Sequence, residues 1–297
     1  MLVAARALAG LAAGLSFVAI HRVLRPGASA LLARISPRIV AFGMPLCLLA
    51  ATALDLRFAF APILAAQAIL LLWTNHPVDL APGRDSLANP RSSRPSPETA
   101  PFALGAAGAL AFVSSACLTV LSGFLVFNAG HTEWHIPLIL LLAALLGLGT
   151  PPLVHSLASR VGPAPAYLAA LLASSGSLAA LHVLRGPATA AVAVGAIALF
   201  LVLSPARHLA LARLVAPTLR DDALPTHQTH THLSHHFGSA LGAFTAGALI
   251  SLGPDHRLTG LGTLLLVCVL AHGLALVLGL ASVRVRSRPT SPAGVAA

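Results

Sequence analysis

Nine apolar stretches, each about as long as a bilayer is thick, leave this chain few folds to choose from. They run roughly over residues 2–23, 38–55, 57–74, 101–127, 136–158, 164–184, 187–205, 235–253 and 259–283. About 20 apolar residues are needed for a helix to cross the hydrocarbon core. No water is present there to satisfy peptide groups, so each stretch must hydrogen-bond its own backbone as a helix. Gly and Pro interrupt several stretches, which membrane helices tolerate when neighbours satisfy the freed groups. Composition agrees. Of 297 residues 57% are hydrophobic and 9% charged, with a mean hydropathy of +0.87, whereas a soluble domain carries about 25% charge. The expected fold is all-α, a polytopic membrane protein with about nine transmembrane helices.

The loops suggest an orientation. All the basic residues are arginine. Placing the loop after the first span inside and alternating puts fourteen arginines inside, among them Arg22, Arg84, Arg160, Arg207, Arg213 and Arg284. Only Arg57, Arg185 and Arg257 fall outside. Cytoplasmic loops are enriched in positive charge, so the first span is expected to enter from outside and the C-terminus to lie in the cytoplasm. The expected location is the inner (cytoplasmic) membrane, crossed many times. Arginines that border apolar segments point to topology and lipid bilayer, not to nucleic acid. Met1 opens directly into apolar sequence without the positive n-region of a signal peptide, as though a preceding part were absent.

The interval 75–100 is rich in Pro, Ser and Arg and reads as a flexible cytoplasmic linker. It divides three spans over residues 1–74 from six over 101–297. Cys47, Cys117 and Cys268 all lie in apolar runs and form no CxxC pair or disulfide framework.

Candidate functional residues are few. Arg6 lies inside the first apolar stretch, with Gly10 and Gly14 following on its face. A charge at membrane depth costs roughly 2.5–3.5 kcal/mol on insertion scales and usually faces a protein interior; near a helix end it snorkels to the interface instead. Ser115, Thr119 and Ser122 recur at i, i+4 and i+7 on one helical face, followed by Asn128. They would either meet a substrate or hold helices together. No acidic residue lies well inside a span, so His155, His182 and His272 are the available intramembrane proton carriers, or else packing residues. Gly238, Gly242 and Ala246 repeat at i+4 as a small-residue seam. Residues 227–236 hold five histidines. His232, His235 and His236 would share one helical face there, either as ligands for zinc, copper or nickel or as a polar start to a helix. No cofactor is implied. No nucleophile, base and orienting acid stand at useful spacing, and phosphate-binding loops are missing, so an enzyme is not expected.

In order along the chain, these features resemble the major facilitator superfamily of transporters, specifically the drug/proton antiporter and arabinose-efflux type, without its first three helices. Arg6, Gly10 and Ala13 fit the arginine–glycine pattern of that family's fourth helix, while Ala9, Ala12 and Gly14 depart from it. Gly43-Met44-Pro45-Leu46-Cys47 is similar to the fifth helix's G-x-P-L-G, and Arg57 and Phe60 to the W-R-x-x-F that follows. His155 to Gly162 resembles the degenerate G-x-L-A-D-R-x-G loop at Leu157, Ala158, Arg160 and Gly162; His155 and Ser159 stand where it has glycine and aspartate. The glycine-rich run 238–247 is similar to the eleventh helix. The resemblance implies three helices of the N-terminal bundle plus six of the C-terminal one. It implies proton-coupled efflux of a small hydrophobic or amphipathic solute by alternating access, with Arg6, Gly10, Gly43, Pro45, Ser115, Thr119, Ser122, Asn128 and His155 at transport or coupling positions. A partner supplying the missing helices, a truncated protein that does not transport, and a metal-responsive membrane protein using the His-rich segment are the alternatives.

Overall fold

The computed structural model describes residues 45, 46, 49, 52, 53, 100–183, 190–218 and 224–284. Arg6, Gly10 and Gly43 lie outside these residues, as do nearly all of the expected three-span N-terminal unit and the linker. Pro45 is helical and buried.

From residue 100 onward the chain is a helical bundle. Helix α1 (Ala100–Gly123) runs into a π-helical turn, Phe124–Asn128. Next come α2 (His135–Gly147), α3 (Thr150–Val161), α4 (Pro163–Val183), α5 (Ala190–Val215) and α6 (Leu224–Leu249). A two-stranded hairpin, β1 (Ser251–Leu252) with β2 (Leu258–Thr259), precedes α7 (Leu261–Arg284). The segments Pro101–Asn128, Pro163–Leu181, Ala191–Val215 and Leu261–Arg284 are each long and apolar enough to cross a membrane.

Hydrophobicity is turned outward. Leu172, Leu270, Val277 and Phe237 are all more than 60% exposed, while Arg207, Ser174, His272 and Ser282 are buried. Water would favour the reverse, because burying polar groups while exposing leucine costs free energy twice over. The arrangement is that of a membrane-embedded protein.

Three expectations from the sequence need correction. The span over 136–158 is not one straight helix. It breaks after Gly147, and α2 and α3 meet with a 42° bend. Pro151 and Pro152 open α3, where a missing N–H costs nothing. The span over 235–253 belongs to a longer helix starting at Leu224, whose histidines keep it out of the membrane-length apolar set. The span over 187–205 does not stop at Pro205. Helix α5 continues through it to Val215, so Arg207 is no loop residue of the inner face but is fully buried within the bundle.

Helices α1 and α6 make the most extensive contact. The seam at Gly238 and Gly242 causes it. A Cβ at Gly238 would collide with the carbonyl of Gly108, and one at Gly242 with the carbonyl of Phe112. Ala246 continues the stripe, fully buried. Close backbone approach maximises dispersion contact where lipid supplies no hydrophobic drive. Gly242→Ala is therefore expected to separate α1 from α6 and destabilise the fold by about 1–3 kcal/mol, the usual cost of overpacking. Gly247→Ala, which meets open space on the same helix, should be close to neutral. Unfolding of the purified protein in graded detergent mixtures compares the two.

Candidate functional site: a buried arginine cluster

Four helices converge on Arg207. It lies on α5, two residues past Pro205, and is completely enclosed. Its Nη1 donates to Ser174 Oγ on α4 and to His272 Nε2 on α7, the latter at 2.7 Å. Its Nη2 donates to Ser114 Oγ on α1 at 2.9 Å. Ser204 Oγ, on α5 itself, lies 2.8 Å from Ser114 Oγ. The Phe200 ring lies beneath the guanidinium, with Cζ 4.8 Å from its centroid, a favourable cation–π distance. Ser114, Ser174 and His272 sit near the middles of their membrane-length segments. The cluster thus lies near the middle of the membrane-length segments.

The partners determine the protonation pattern. A guanidinium only donates, so His272 Nε2 must accept and its proton sits on Nδ1. That nitrogen is 3.0 Å from Ser175 Oγ, which takes its hydrogen bond. His272 is therefore a neutral imidazole in a fixed tautomer.

Among the described residues the cation has no counterion. The acidic residues among those described are Glu133 and Asp255, both exposed. Neither forms an ion pair with Arg207, and all of its hydrogen-bond partners are neutral. Its Nε is buried without an acceptor.

An apolar cavity of about 50 Å³ lies beyond the Phe200 ring, lined by Cys117, Leu118, Leu121, Leu178, Leu181, Ile197, Phe200, Leu261 and Leu264 among others, but not by Arg207 or its hydrogen-bond partners. Cys117 follows Ser114 by three residues on α1, and Leu178 follows Ser174 by four on α4. Phe200 precedes Ser204 by four on α5, and Leu264 precedes His272 by eight on α7. Every helix thus places the cavity on the same side of Arg207, toward the end that holds Asn128 and the hairpin. Cys117 Sγ and Cys268 Sγ lie 4.0 Å apart across α1 and α7. Tyr167, fully buried on α4, donates to the Ala275 carbonyl at 2.9 Å and fixes α4 against α7.

Most of the residues singled out from the sequence lie away from Arg207. Thr119 Oγ1 bonds back to the Ser115 carbonyl at 2.8 Å, and Ser122 is exposed. It is their neighbour Ser114 that reaches Arg207. Asn128 is buried and ties the end of α1 to the hairpin. Its Oδ1 accepts from Leu258 N–H at 3.0 Å, and its Nδ2 donates to the Leu258 carbonyl at 3.4 Å. His155 is exposed on α3. His272, among the intramembrane histidines read from the sequence, is at the centre. His232, His235 and His236 all lie on α6, but no three His, Cys, Asp or Glu side chains gather to hold a metal among the described residues. Instead the His235 ring meets His208 of α5 edge-on, at 5.1 Å. Further along, burial pushes the His227 pKa below its ordinary value, with His230 adding to the effect.

Comparison with known protein families, with curated proteins and with solved structures finds no match. The site stands on its own geometry.

Asn128→Ala is expected to leave both Leu258 backbone groups unsatisfied and to destabilise the protein by about 1–3 kcal/mol. Hydrogen exchange measured by mass spectrometry should show faster exchange at the hairpin, with the Arg207 helices unchanged.

Proposed function

We propose that this chain is a membrane transport protein that moves a small solute through a polar site near mid-bilayer, in the manner of a major facilitator efflux transporter coupled to protons. One observation carries the reading. An arginine is fully buried among four helices, near the middle of their membrane-length segments, with neutral partners and no carboxylate among the described residues. Ionisable groups at that depth are costly and mark substrate or ion pathways. Secondary transporters bind near the midplane, between helices that can move against one another. The described helices supply the C-terminal bundle in this reading, and the inner membrane is its location.

His272 offers the coupling step. Its Nε2 lone pair is occupied by Arg207. A proton arriving at Nε2 turns an acceptor into a donor and sets two cations side by side. The Arg207–His272 contact and a protonated His272 therefore exclude each other. The groups facing the imidazole are Arg207 from α5 and Ser175 from α4. Protonation from one side of the membrane would release the guanidinium and allow α5 and α7 to part.

The test uses the full chain reconstituted in proteoliposomes with an imposed pH gradient. A panel of small anionic, neutral and cationic amphiphiles should include a solute whose flux follows the gradient. His272→Gln, which keeps an acceptor but cannot carry the proton, should reduce gradient-driven flux at least tenfold while leaving binding of that solute within about threefold. Gradient-independent flux, or none, rejects proton coupling. Arg6→Ala asks separately whether the first span contributes.

A further inference from the structure

We infer that Cys117 and Cys268 form a two-coordinate site for a soft monovalent metal ion, Cu(I) or Ag(I), clamped between α1 and α7. Binding of this kind does not depend on the transport reading.

The two sulfurs are placed for it. Cys117 Sγ and Cys268 Sγ lie 4.0 Å apart, one from each helix. Two metal–thiolate bonds of about 2.3 Å each, the zinc–sulfur length, span at most about 4.6 Å. An ion can therefore join the pair through a bent sulfur–metal–sulfur link while the helices stay where they are. A disulfide fits less well, because its sulfurs stand only about 2.05 Å apart. Cys268 is buried and Cys117 half-buried. Cys117 also lines the apolar cavity beyond the Phe200 ring, so its sulfur is the more accessible of the two.

Ligand chemistry narrows the choice of ion. Thiolates select soft ions, Cu(I) and Zn(II) among them. Structural zinc takes four ligands, and no third His, Cys, Asp or Glu joins the pair among the described residues. Calcium and magnesium require oxygen ligands, whereas the core around the pair is apolar, with Val113, Leu178, Phe200 and Leu264. Two sulfur ligands are a complete set for Cu(I) or Ag(I).

Charge points to the monovalent state. Cys117 lies three residues past Ser114 on α1, and Cys268 four residues before His272 on α7. Each is thus about one helical turn, roughly 5 Å along the axis, from a group that holds Arg207. Arg207 is within electrostatic range of both sulfurs. As one monovalent ion binds, both thiols give up their protons, because only the thiolate is a metal ligand. Two thiolates and one monovalent cation leave a single negative charge. That anion would balance the guanidinium, whose partners among the described residues are all neutral, without any ligand having to reach it. A divalent ion between the same thiolates would be neutral and leave the arginine uncompensated.

The experiment takes the full chain in nanodiscs of zwitterionic lipid, reduced and free of oxygen, at neutral pH. Cu(I) is titrated in against bicinchoninate as a competing chelator. One Cu(I) should bind per chain, with two protons released and a sulfur-to-copper charge-transfer band appearing in the near ultraviolet. A hundredfold excess of Zn(II) should leave the band intact. Cys117→Ser and Cys268→Ser should each remove the band and weaken Cu(I) binding at least a hundredfold. Cys47→Ser should keep the band and leave the affinity within about threefold.

Cu(I) binding without proton release or the band would assign the ion to imidazoles such as those of residues 227–236 and overturn the site. A band that survives both of the first two variants, or is lost in Cys47→Ser, would place the sulfur ligands elsewhere and overturn it too. Displacement by Zn(II) would overturn the monovalent class. Failure to bind Cu(I) at all would make the pair a packing contact only. The proton count and the metal comparison use the unaltered protein and need no variant to fold.

Discussion

A guanidinium buried in the middle of an apolar bundle, with only neutral partners among the described residues, is the constraint on which the rest of this structure depends. Its charge cannot be spread into water, so four helices must each bring a neutral acceptor or an aromatic face to it. Ser114, Ser174, Phe200 and His272 do so from α1, α4, α5 and α7. These are also the helices with the membrane-length apolar segments. Packing and polar satisfaction therefore choose the same arrangement. A helix that moved would leave a buried donor without its acceptor, at a cost larger than a typical hydrogen bond contributes when made.

Around that centre the bundle divides the work between rigid and yielding contacts. The α1–α6 contact is backbone against backbone at Gly238 and Gly242, with no side chain that can adjust. The α4–α7 contact is held by Tyr167 on the Ala275 carbonyl. The α5–α7 contact at the cluster is of another kind. It depends on His272 presenting a lone pair to Arg207, and one proton abolishes it. A holding interaction with two chemical states, set in fixed surroundings, gives that contact two positions for a proton to choose between.

Much of the bundle was legible in the sequence. Apolar length gave α1, α4 and α7 nearly to their ends, because the bilayer imposes one rule on every span. The Gly238–Gly242 seam was readable because small residues at i+4 allow close approach in any membrane helix. His272 was visible as an ionisable group inside an apolar run. Arg207 was not, because Ser204-Pro205 looks like the end of a span and places the arginine in a basic loop. Proline in a membrane helix removes one hydrogen bond but need not end the helix, and here α5 continues for ten residues beyond it. Ser114 was missed for a different reason. Its neighbour Ser115 begins a regular polar stripe with Thr119 and Ser122, and periodicity favours a stripe over a single residue. Which of two adjacent serines faces the interior is set by the rotation of α1 against α6, and the seam fixes that rotation only once both helices are placed.

Pro205 also ties the two unusual features of this chain together. Two residues past it Arg207 faces the interior, and one residue further His208 faces α6. There its ring meets His235 at 5.1 Å, and its Nε2 is buried without a partner. The histidine-rich start of α6 is thus in contact with the helix that carries the buried arginine. Successive residues on a helix point about 100° apart, so a single segment of α5 serves both surfaces. A displacement of α5 that freed Arg207 from His272 would shift His208 against His235 in the same motion. The histidine-rich segment, which in the sequence looks like a separate metal-binding or polar feature, is mechanically part of the wall around the central charge.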